Sequence, residues 1–365
     1  TSDATNPAEA SARSVAPPDG DPILEVRELS KEFPGVLALD RVSLSVMPGE
    51  VHALVGENGA GKSTLVKALS GVHKPDGGEV FLDGRPYAPH DPEEALTAGI
   101  RVVYQELNLL TYLTIEENLS FERLPSRRGL VDRATMRRRA EELMDEVGLD
   151  MPPDTAVEEL GIAQMQLVEI ARALLTDARV LILDEPTATL TPRETDQLFG
   201  IVRKLAERGI GILFISHHLD EVKEIGDRVT VLRNGQWVAT RDVTDISVAE
   251  IIELMVGRSM TEGYPFRSEV ELGDELLSVE GLTYRGNAEP VSLRLREGEI
   301  LGVAGLVGSG RTEAMRAIFG ADEAHGGVIM VAGEVVDIVH PSDAVAAGIC
   351  LLPADRQSQG LMLDM

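Results

Sequence analysis

A glycine-rich segment with one lysine and two hydroxyl side chains is the first candidate for chemistry. It reads GENGAGKST at Gly56–Thr64 and matches the pattern G-x-x-x-x-G-K-[ST] between an apolar stretch and a helix-like stretch. Its glycines let backbone N–H groups close around phosphate oxygens, and the helix N-terminus adds its dipole. Lys62 can reach the β- and γ-phosphates of a nucleotide, and the Ser63 hydroxyl can ligate Mg²⁺. A glycine-rich turn without a ligand is the alternative, but the strand–loop–helix context favours a nucleotide site.

A second candidate is the pair of carboxylates in the segment VLILDEP at Val180–Pro186. Beside a nucleoside triphosphate, Asp184 would hold Mg²⁺, directly or through water. Glu185 would lie beyond the γ-phosphate and orient or deprotonate the attacking water. Taken alone, the segment could equally be a strand followed by an acidic helix cap. The phosphate-binding pattern upstream favours the catalytic interpretation.

Short buried strands must position these side chains. Apolar runs predict strands at Val51–Val55, Val180–Leu183 and Gly211–Ile215, and the loop is followed by a predicted helix from Lys62 to about Leu69. Strands that alternate with helices imply a parallel sheet covered on both faces, and hence an α/β fold.

The sequence between about Leu107 and Asp177 has a helical character instead. Thr114 and Glu117 form a capping-box pattern ahead of Leu119. Apolar residues then follow at helical spacing: Met136, Ala140, Leu143, Met144 and Val147. We therefore predict a helical insertion in the sheet domain.

The sequence repeats itself at an offset of 249 residues, as from Gly56 to Gly305 and from Gly61 to Gly310. The other pairs are Gly49-Glu50 with Gly298-Glu299, Pro92 with Pro341, and Gly99 with Gly348. A constant offset over this span predicts two copies of one domain. We place the first copy at 23–258 and a shorter second copy at 275–365. A polar linker at 259–274 joins them, and a disordered tail at 1–22 precedes them.

Composition limits the function further. The 365 residues include 34 lysines and arginines against 61 aspartates and glutamates, a net charge of −27 that would repel nucleic acid overall. No apolar run approaches the roughly 18 residues needed to span a bilayer, so the protein is not itself predicted to be a channel. The one cysteine, Cys350, forbids an internal disulfide, which fits a reducing compartment. It lies in an apolar stretch and is expected in the core.

These motifs, in this order, resemble the ATP-binding subunit of ABC transporters, specifically the tandem kind that powers simple-sugar importers of the ribose, xylose or galactose type. The resemblance covers nearly all of 23–365, and VGRSM at Val256–Met260 resembles the end of the first domain in such proteins. It implies a P-loop NTPase fold of the ABC type. The helical subdomain would be at about 107–177, with a partial second copy after the first.

The resemblance also assigns roles to three residues outside the two motifs. Gln105, in VVYQE, resembles the glutamine that senses Mg²⁺ and the attacking water. His217, in ISHH, resembles the switch histidine that contacts the γ-phosphate, and we prefer it to His218 because it directly follows Ser216. Phe33 resembles the aromatic residue that stacks on adenine. As alternatives, Phe33 could be core, Gln105 a polar strand end, and either histidine a surface or packing residue.

The implied cofactors are ATP and Mg²⁺. The residues expected to bind the nucleotide are Phe33, Gly56, Glu57, Asn58, Gly59, Ala60, Gly61, Lys62, Ser63 and Thr64. Those expected to hold Mg²⁺ are Ser63, Asp184 and Gln105. The expected catalytic set is Glu185, His217, Gln105 and Lys62. The segment LGIAQ, which resembles the ABC signature, comprises Leu160, Gly161, Ile162, Ala163 and Gln164.

The second copy departs from the family pattern at its own loop, GLVGSGRTE. Arg311 stands where lysine is expected, and its larger planar fork fits the β- and γ-phosphates less well. Ala354 stands at the counterpart of Gln105, and alanine senses neither water nor metal. In the first copy's signature, Gly161 replaces the usual serine. The degenerate second site comprises Gly305, Gly310, Arg311 and Thr312, so we expect one competent site and one regulatory or silent site.

The resemblance implies a peripheral ATPase on the cytoplasmic face of the membrane. It would power import of a monosaccharide through separate integral-membrane permease subunits, supplied by a solute-binding protein, with no nucleic-acid partner. In the family, one copy's loop works with the other copy's signature, which for the second copy would lie after Met365. We therefore expect the chain to bind MgATP at Lys62 but to hydrolyse it slowly. The alternatives are a nucleoside importer ATPase, a soluble tandem ABC protein acting on ribosomes or DNA, and a non-catalytic nucleotide-binding regulator.

Overall fold

The structure, a computed structural model, describes residues 20–104, 107–121, 124–127, 130–175, 178–257, 272–284, 289–305, 308–353 and 360. The chain divides into two units, Thr1–Gly263 and Tyr264–Met365. Several predictions fall outside the described residues: most of the tail at 1–22, most of the linker at 259–274, Gln105, and Ala354.

One mixed sheet organises the described part of the first unit. Its strands are β1 Leu24–Phe33, β2 Val36–Val46, β3 Val51–Val55, β4 Gly77–Leu82, β5 Arg85–Pro86, β6 Ile100–Val103, β9 Val180–Asp184, β10 Gly211–Ile215, β11 Arg228–Arg233 and β12 Gln236–Asp242. They lie in the order β5-β4-β1-β2-β12-β11-β3-β10-β9-β6. The strands β11, β3, β10, β9 and β6 are parallel, whereas β1 pairs with its neighbours β2 and β4 in antiparallel fashion.

Helices cover both faces of the parallel strands. They are α1 Lys62–Leu69, α2 Pro92–Ala98, α6 Pro192–Glu207, α7 Leu219–Ile225 and α8 Val248–Val256. Every residue of β3 and β10 is buried, as expected of central parallel strands. The predicted bounds of β3, β10 and α1 are confirmed, and β9 extends one residue beyond its prediction to include Asp184.

The predicted helical insertion is confirmed in the helices α3 Ile115–Ser120, α4 Arg133–Val147 and α5 Ile162–Ala173. The capping box of Thr114 and Glu117 begins α3. Along α4 the buried positions are Met136, Ala140, Met144 and Val147, with Leu143 partly buried. The insertion also holds a short hairpin, β7 Ser126–Arg127 and β8 Leu130–Val131, which the helical prediction did not include. Two-residue strands carry too little periodicity to be recognised from sequence.

The second unit contains a smaller antiparallel sheet, ordered β14-β13-β15-β16. Its elements are β13 Glu275–Tyr284, β14 Val291–Arg296, β15 Ala324–Val331, β16 Glu334–Val336, α9 Arg311–Ile318 and α10 Pro341–Ala346. Residues 300–304, the counterpart of β3, form no strand, and Ile300 is 86% exposed. In the first unit β3 lies between β10 and β11, and the described residues of the second unit include no counterpart of either.

The prediction that Cys350 lies in the core is wrong, because the residue is exposed. Its counterpart in the first unit, Arg101, lies in β6, which pairs with β9. Within the described part of the second unit no strand takes the place of β9, so the apolar stretch around Cys350 stays uncovered. In the parts of the chain that the structure describes, no helix is both long and apolar enough to span a membrane.

Candidate nucleotide-binding site

The glycine loop connects β3 to α1 and is packed closely against neighbouring strands. Gly61 caps α1 with a left-handed backbone, φ 103°. A Cβ on Gly61 would lie 2.7 Å from the carbonyl oxygen of Ala38 in β2, and one on Gly56 would lie 2.5 Å from that of Leu232 in β11. Both positions therefore require glycine, and the loop's shape is set by the strands beneath it.

Lys62 is buried at the start of α1. Its Nζ donates to the carbonyl oxygens of Gly56, at 2.7 Å, and Glu57, at 3.2 Å. Burial lowers the pKa of Lys62, and the charges of Glu185 and Asp184 oppose that shift. The ammonium is thus held by the loop carbonyls, and the charges of Asp184 at the end of β9 and of Glu185 directly after it act on it. The next residue, Ser63, is exposed in the first turn of α1, while Thr64 is partly buried.

The strand register brings the carboxylates to the same edge of the sheet as the loop. Asp184 in β9 lies opposite Ile215 in β10, and Ile215 lies opposite Leu54 in β3. The carboxylates of Asp184 and Glu185 are therefore separated from the glycine loop by one strand, β10. Burial raises the pKa of Asp184, and the charge of Glu185 raises it further, whereas Lys62 and Lys67 lower it.

Hard oxygen donors dominate this edge. The charge of Glu185 raises the pKa of the partly buried Asp184, and a bound cation would offset that repulsion. The Ser63 hydroxyl, exposed in the first turn of α1, could supply a second oxygen ligand. No group of three or more histidine, cysteine, aspartate or glutamate side chains suited to a metal occurs among the described residues. A set of one or two carboxylates and a hydroxyl fits Mg²⁺, which typically binds one or two carboxylates together with phosphate oxygens.

Glu185 has an unusual backbone and a histidine neighbour. Its φ of 50° lies in the left-handed region, and its N–H donates to the carbonyl oxygen of Ile215 at 2.9 Å. The Nδ1 atom of His217 lies 3.2 Å from Oε1 of Glu185. The Glu185 side chain is 14% exposed and that of His217 is 48% exposed. Of the two adjacent histidines, His217, which the sequence analysis preferred, is the one that contacts Glu185. The ring of His218 lies 4.1 Å from that of His217.

Phe33 ends β1 and is partly exposed, outside the apolar clusters of the described residues. Its ring meets His73 edge to face at 5.2 Å, and the Lys31 ammonium lies 5.4 Å from its centre. Phe33 pairs with Val36 at the start of β2, the strand on which Ala38 touches the glycine loop. One hairpin thus carries the aromatic ring and supports the loop.

The residues that resemble the ABC signature form the start of α5. Leu160 is buried, Gly161 and Ile162 are exposed, and Ala163 and Gln164 are partly buried. The Gly161 N–H donates to Oε1 of Gln164 at 2.9 Å. A Cβ on Gly161 would meet only that oxygen, at 3.7 Å, so the backbone would accept the usual serine.

The segment that follows Gln105 is attached to the same helix α5. Oε1 of Glu169 accepts from the Asn108 N–H at 2.5 Å, and Nη1 of Arg172 donates to the Asn108 carbonyl oxygen at 2.8 Å. Glu169 is buried, and burial raises its pKa against the hydrogen bond from Asn108 and the charge of Arg172. Sequence reasoning missed this clamp because nothing in the spacing marks Asn108 as its partner.

The described end of the second loop has the same helix cap as the first loop but different surroundings. Gly310 caps α9 with φ 85°, as Gly61 caps α1. Arg311 and Thr312 are exposed, whereas Lys62 is buried. The Tyr284 hydroxyl donates to the Gly310 carbonyl oxygen at 3.0 Å.

Comparisons with known proteins show which family this chain resembles. A family model described as "ABC transporter" matches residues 39–188. The ribose import ATP-binding protein RbsA 1 of Rubrobacter xylanophilus is 52% identical over 341 residues, which cover 93% of this chain and 68% of that protein. A putative ribose/galactose/methyl galactoside import ATP-binding protein of Agrobacterium fabrum is 48% identical over 343 residues, covering 94% and 68%. The chain thus spans about two thirds of the length of the relatives it matches.

Solved structures show a similarity over 60% to 66% of this chain. The ADP conformation of MJ1267, an ATP-binding cassette of an ABC transporter, aligns with a TM-score of 0.57 and 29% identity, covering 66% of this chain and all of that one. The dimeric post-hydrolysis state of the cassette MJ0796, bound to ADP and Pi, aligns with a TM-score of 0.52 and 26% identity. That alignment covers 60% of this chain and 98% of that one.

Proposed function

The chain belongs to the ABC transporter family of ATP-binding proteins, and we propose that its first unit hydrolyses MgATP to power import of a monosaccharide through a separate membrane permease. One observation carries the catalytic part of this proposal. The ammonium of Lys62 is buried against the glycine loop within the influence of the charges of Asp184 and Glu185, and Glu185 contacts His217. These side chains come from three separate segments that the parallel strands bring to one edge.

The reaction is an in-line attack of water on the γ-phosphate of ATP. Lys62 exchanges its loop carbonyls for β- and γ-phosphate oxygens and neutralises charge that develops during transfer. Ser63 and Asp184, with Gln105, would hold Mg²⁺, which when bound neutralises charge on the same phosphate oxygens. Phe33 offers its ring face to the adenine, and the loop N–H groups bind phosphate.

Glu185 takes the role of general base, since its mostly buried carboxylate directly follows β9, which only β10 separates from the strand that leads into the loop. His217, at 3.2 Å from that carboxylate, orients it and reaches toward the γ-phosphate. The left-handed backbone of Glu185 supports this assignment, since strained residues concentrate at functional sites.

The cargo and the membrane partner are proposed from the relatives and from the surface. Relatives named as ribose or ribose/galactose import proteins match over more than nine tenths of this chain. Apolar side chains exposed on the helical insertion suit a permease contact: Tyr112, Phe121, Leu124 and Leu130. A peripheral position on the cytoplasmic face follows, with a solute-binding protein acting on the other side. Nucleoside transport or action on ribosomes or DNA is less favoured, and the net charge of −27 opposes the latter.

We assign the second unit, with its degenerate loop, a regulatory or silent role. Arg311 is exposed, and its guanidinium lacks the buried setting that Lys62 has. The proposed domain arrangement is a first ABC domain at 23–258, a linker at 259–274 and a partial second domain at 275–365.

The variant Glu185→Gln tests the proposed chemistry. Removing the base while keeping the side-chain shape should leave ATP binding within about twofold and lower hydrolysis by about a hundredfold or more. Binding is measured by titration with MgATP, and hydrolysis by phosphate release with protein in excess over ATP. Glu224→Gln, an exposed carboxylate on α7, is the matched control. Full hydrolysis by Glu185→Gln would remove Glu185 from the role, and absence of ATP binding by the unsubstituted chain would refute the function.

Membrane coupling needs a separate experiment. Tagged protein purified from detergent-solubilised membranes should bring down a polytopic permease, and its ATPase rate should rise when a sugar-loaded binding protein is added. Recovery of ribosomes or DNA instead would favour the soluble alternatives.

A further inference from the structure

One carboxylate lies beneath both loops that carry the proposed catalytic pair. Oε2 of Glu221, in the first turn of α7, accepts from the Thr187 hydroxyl at 2.7 Å and from the Ser216 hydroxyl at 2.8 Å. Thr187 is 5% exposed and Ser216 is 1% exposed. Buried hydroxyls need partners, and bonds to a charged acceptor are the stronger kind. A single oxygen therefore joins two segments that are distant in sequence.

The two hydroxyls lie immediately beside the reacting side chains. Thr187 follows Glu185 by two residues, and Ser216 directly precedes His217. The Ser216 oxygen also accepts from the His218 N–H at 2.9 Å, which fixes the turn that presents both histidines. The same carboxylate thus holds the loop after β9 and the loop after β10.

The arrangement matters because Glu185 does not sit in a relaxed conformation. A glutamate at φ 50° persists only where its surroundings determine it. Its backbone is restrained by the bond from its N–H to the Ile215 carbonyl oxygen at 2.9 Å and by a longer one from the Ala188 N–H to its own carbonyl oxygen at 3.4 Å. Two residues further on, Thr187 is held by Glu221. Without Glu221, the loop carrying Glu185 loses one restraint and the loop carrying His217 loses another.

We propose that Glu221 is a positioning residue that sets the separation of Glu185 and His217 through its bonds to Thr187 and Ser216. This inference rests on the proposed ATP hydrolysis at this site. Nucleotide binding depends instead on the glycine loop and Lys62, none of which Glu221 is recorded to touch. Loss of Glu221 should therefore slow turnover without weakening ATP affinity.

Four variants of the whole chain test the proposal. Glu221→Ala removes the acceptor, and Glu221→Gln keeps an amide oxygen able to accept both hydroxyls. Thr187→Val removes one donor, and Glu224→Ala removes a carboxylate one turn further along α7. For each, titration gives the affinity and the number of MgATP sites per chain. Phosphate release from γ-labelled ATP, with protein in excess, gives the rate per bound ATP.

Glu221→Ala should lower the rate per bound ATP by about tenfold to a hundredfold, the cost of misplacing a reacting group by about 1 Å. Its ATP affinity and site number should stay within twofold of the unsubstituted chain, and Glu221→Gln should recover most of the rate. Adding Thr187→Val to Glu221→Ala should cause little further loss of rate, because both substitutions break the same Thr187–Glu221 hydrogen bond.

Three results would overturn the proposal, and they are distinguishable. If Glu221→Ala hydrolyses like Glu224→Ala, the positioning role is wrong while the ATPase function stands. If the total rate falls only in proportion to the number of ATP sites, so that the rate per bound ATP is unchanged, Glu221 supports folding alone. If the unsubstituted chain binds ATP but never releases phosphate, the proposed hydrolysis fails first, and the inference fails with it.

Discussion

Replacing Glu50 should destabilise the first unit far more than replacing its counterpart in the second. Glu50 precedes β3 and lies in a buried polar network. Its Oε1 lies 2.9 Å from Nδ1 of His52 and 2.7 Å from Nε of Arg228, and its Oε2 accepts from the Met47 N–H at 2.6 Å. Arg228 belongs to β11, so the network joins neighbouring strands at the end of the sheet opposite the glycine loop.

The magnitude follows from the pKa of Glu50. Burial raises that pKa, but the hydrogen bonds from His52, Arg228 and Met47 outweigh burial and lower it to about 2. Each pKa unit corresponds to about 1.4 kcal/mol, so the fall from 4.5 represents about 3 kcal/mol of unfolding free energy. Because the folded-state pKa is depressed, this stability is complete above pH 4.5 and is lost as the pH falls through 4.5 toward 2.

The repeat supplies a matched control. Glu299, the counterpart of Glu50, accepts from the Arg296 N–H at 2.8 Å in the same kind of turn. Glu299 is only partly buried, and Leu301 stands at the position that His52 has in the first unit. Glu50→Gln should cost about 3 kcal/mol at pH 7 because it leaves the buried Arg228 without its charged partner. Glu299→Gln should cost less than about 1 kcal/mol.

Tryptophan fluorescence gives a suitable assay. Trp237 is the only tryptophan in the sequence and lies in β12 of the first unit. Its Nε1 donates to the Thr240 hydroxyl, which is bonded to Thr230, the second partner of His52. Urea unfolding followed at this residue therefore reports on the first unit, and unfolding followed by circular dichroism, which detects both units, measures the cost of Glu299→Gln.

Between pH 6 and pH 3, the stability advantage of the unsubstituted chain over Glu50→Gln should shrink by about 2 kcal/mol. Equal losses for Glu50→Gln and Glu299→Gln, or an advantage that does not change with pH, would refute the reasoning.

Two further predictions concern the helical insertion and the second loop. Asn118→Ala should lower the free energy of unfolding by about 2 kcal/mol in urea unfolding followed by circular dichroism, because the buried side-chain amide is bonded to both the N–H and the carbonyl oxygen of Leu110. Asn108→Ala is the control, since Asn108 is held through its backbone N–H and carbonyl oxygen. An equal cost for the two variants would contradict the assignment. Arg311→Lys should leave one MgATP site per chain in calorimetric titration, because a lysine alone does not recreate the burial and carboxylates around Lys62; a second site would show that the loop sequence suffices.

Much of the geometry at the candidate nucleotide-binding edge could be predicted because its signals are local. The strand β3 has four apolar residues among its five and ends at a glycine loop, and β9 ends at Asp184 with Glu185 directly after it. Such runs have few alternatives when a matching loop lies upstream. The contact of His217 with Glu185 needed more, since adjacent histidines carry no periodicity and the choice rested on the resemblance.

The polar groups that support the site could not be predicted in this way. Glu221 lies in an ordinary acidic first helical turn, and its partners Thr187 and Ser216 are 34 and 5 residues away. The partner of Glu50 is Arg228, 178 residues away. Register between distant strands decides the contacts of Glu221 with Thr187 and of Glu50 with Arg228, and no local pattern encodes that register.

The two glycine loops of this chain show what the motif contributes by itself. Gly61 and Gly310 cap their helices with nearly the same left-handed backbone, so the local sequence is enough to build the turn. Burial and charge differ, because Lys62 is enclosed and faces two carboxylates delivered by β9, whereas Arg311 is exposed. Those carboxylates reach the loop only through β10, which aligns β9 with β3. Chemistry at the first loop is therefore a property of the parallel sheet, and the loop sequence predicts it only where that sheet is present.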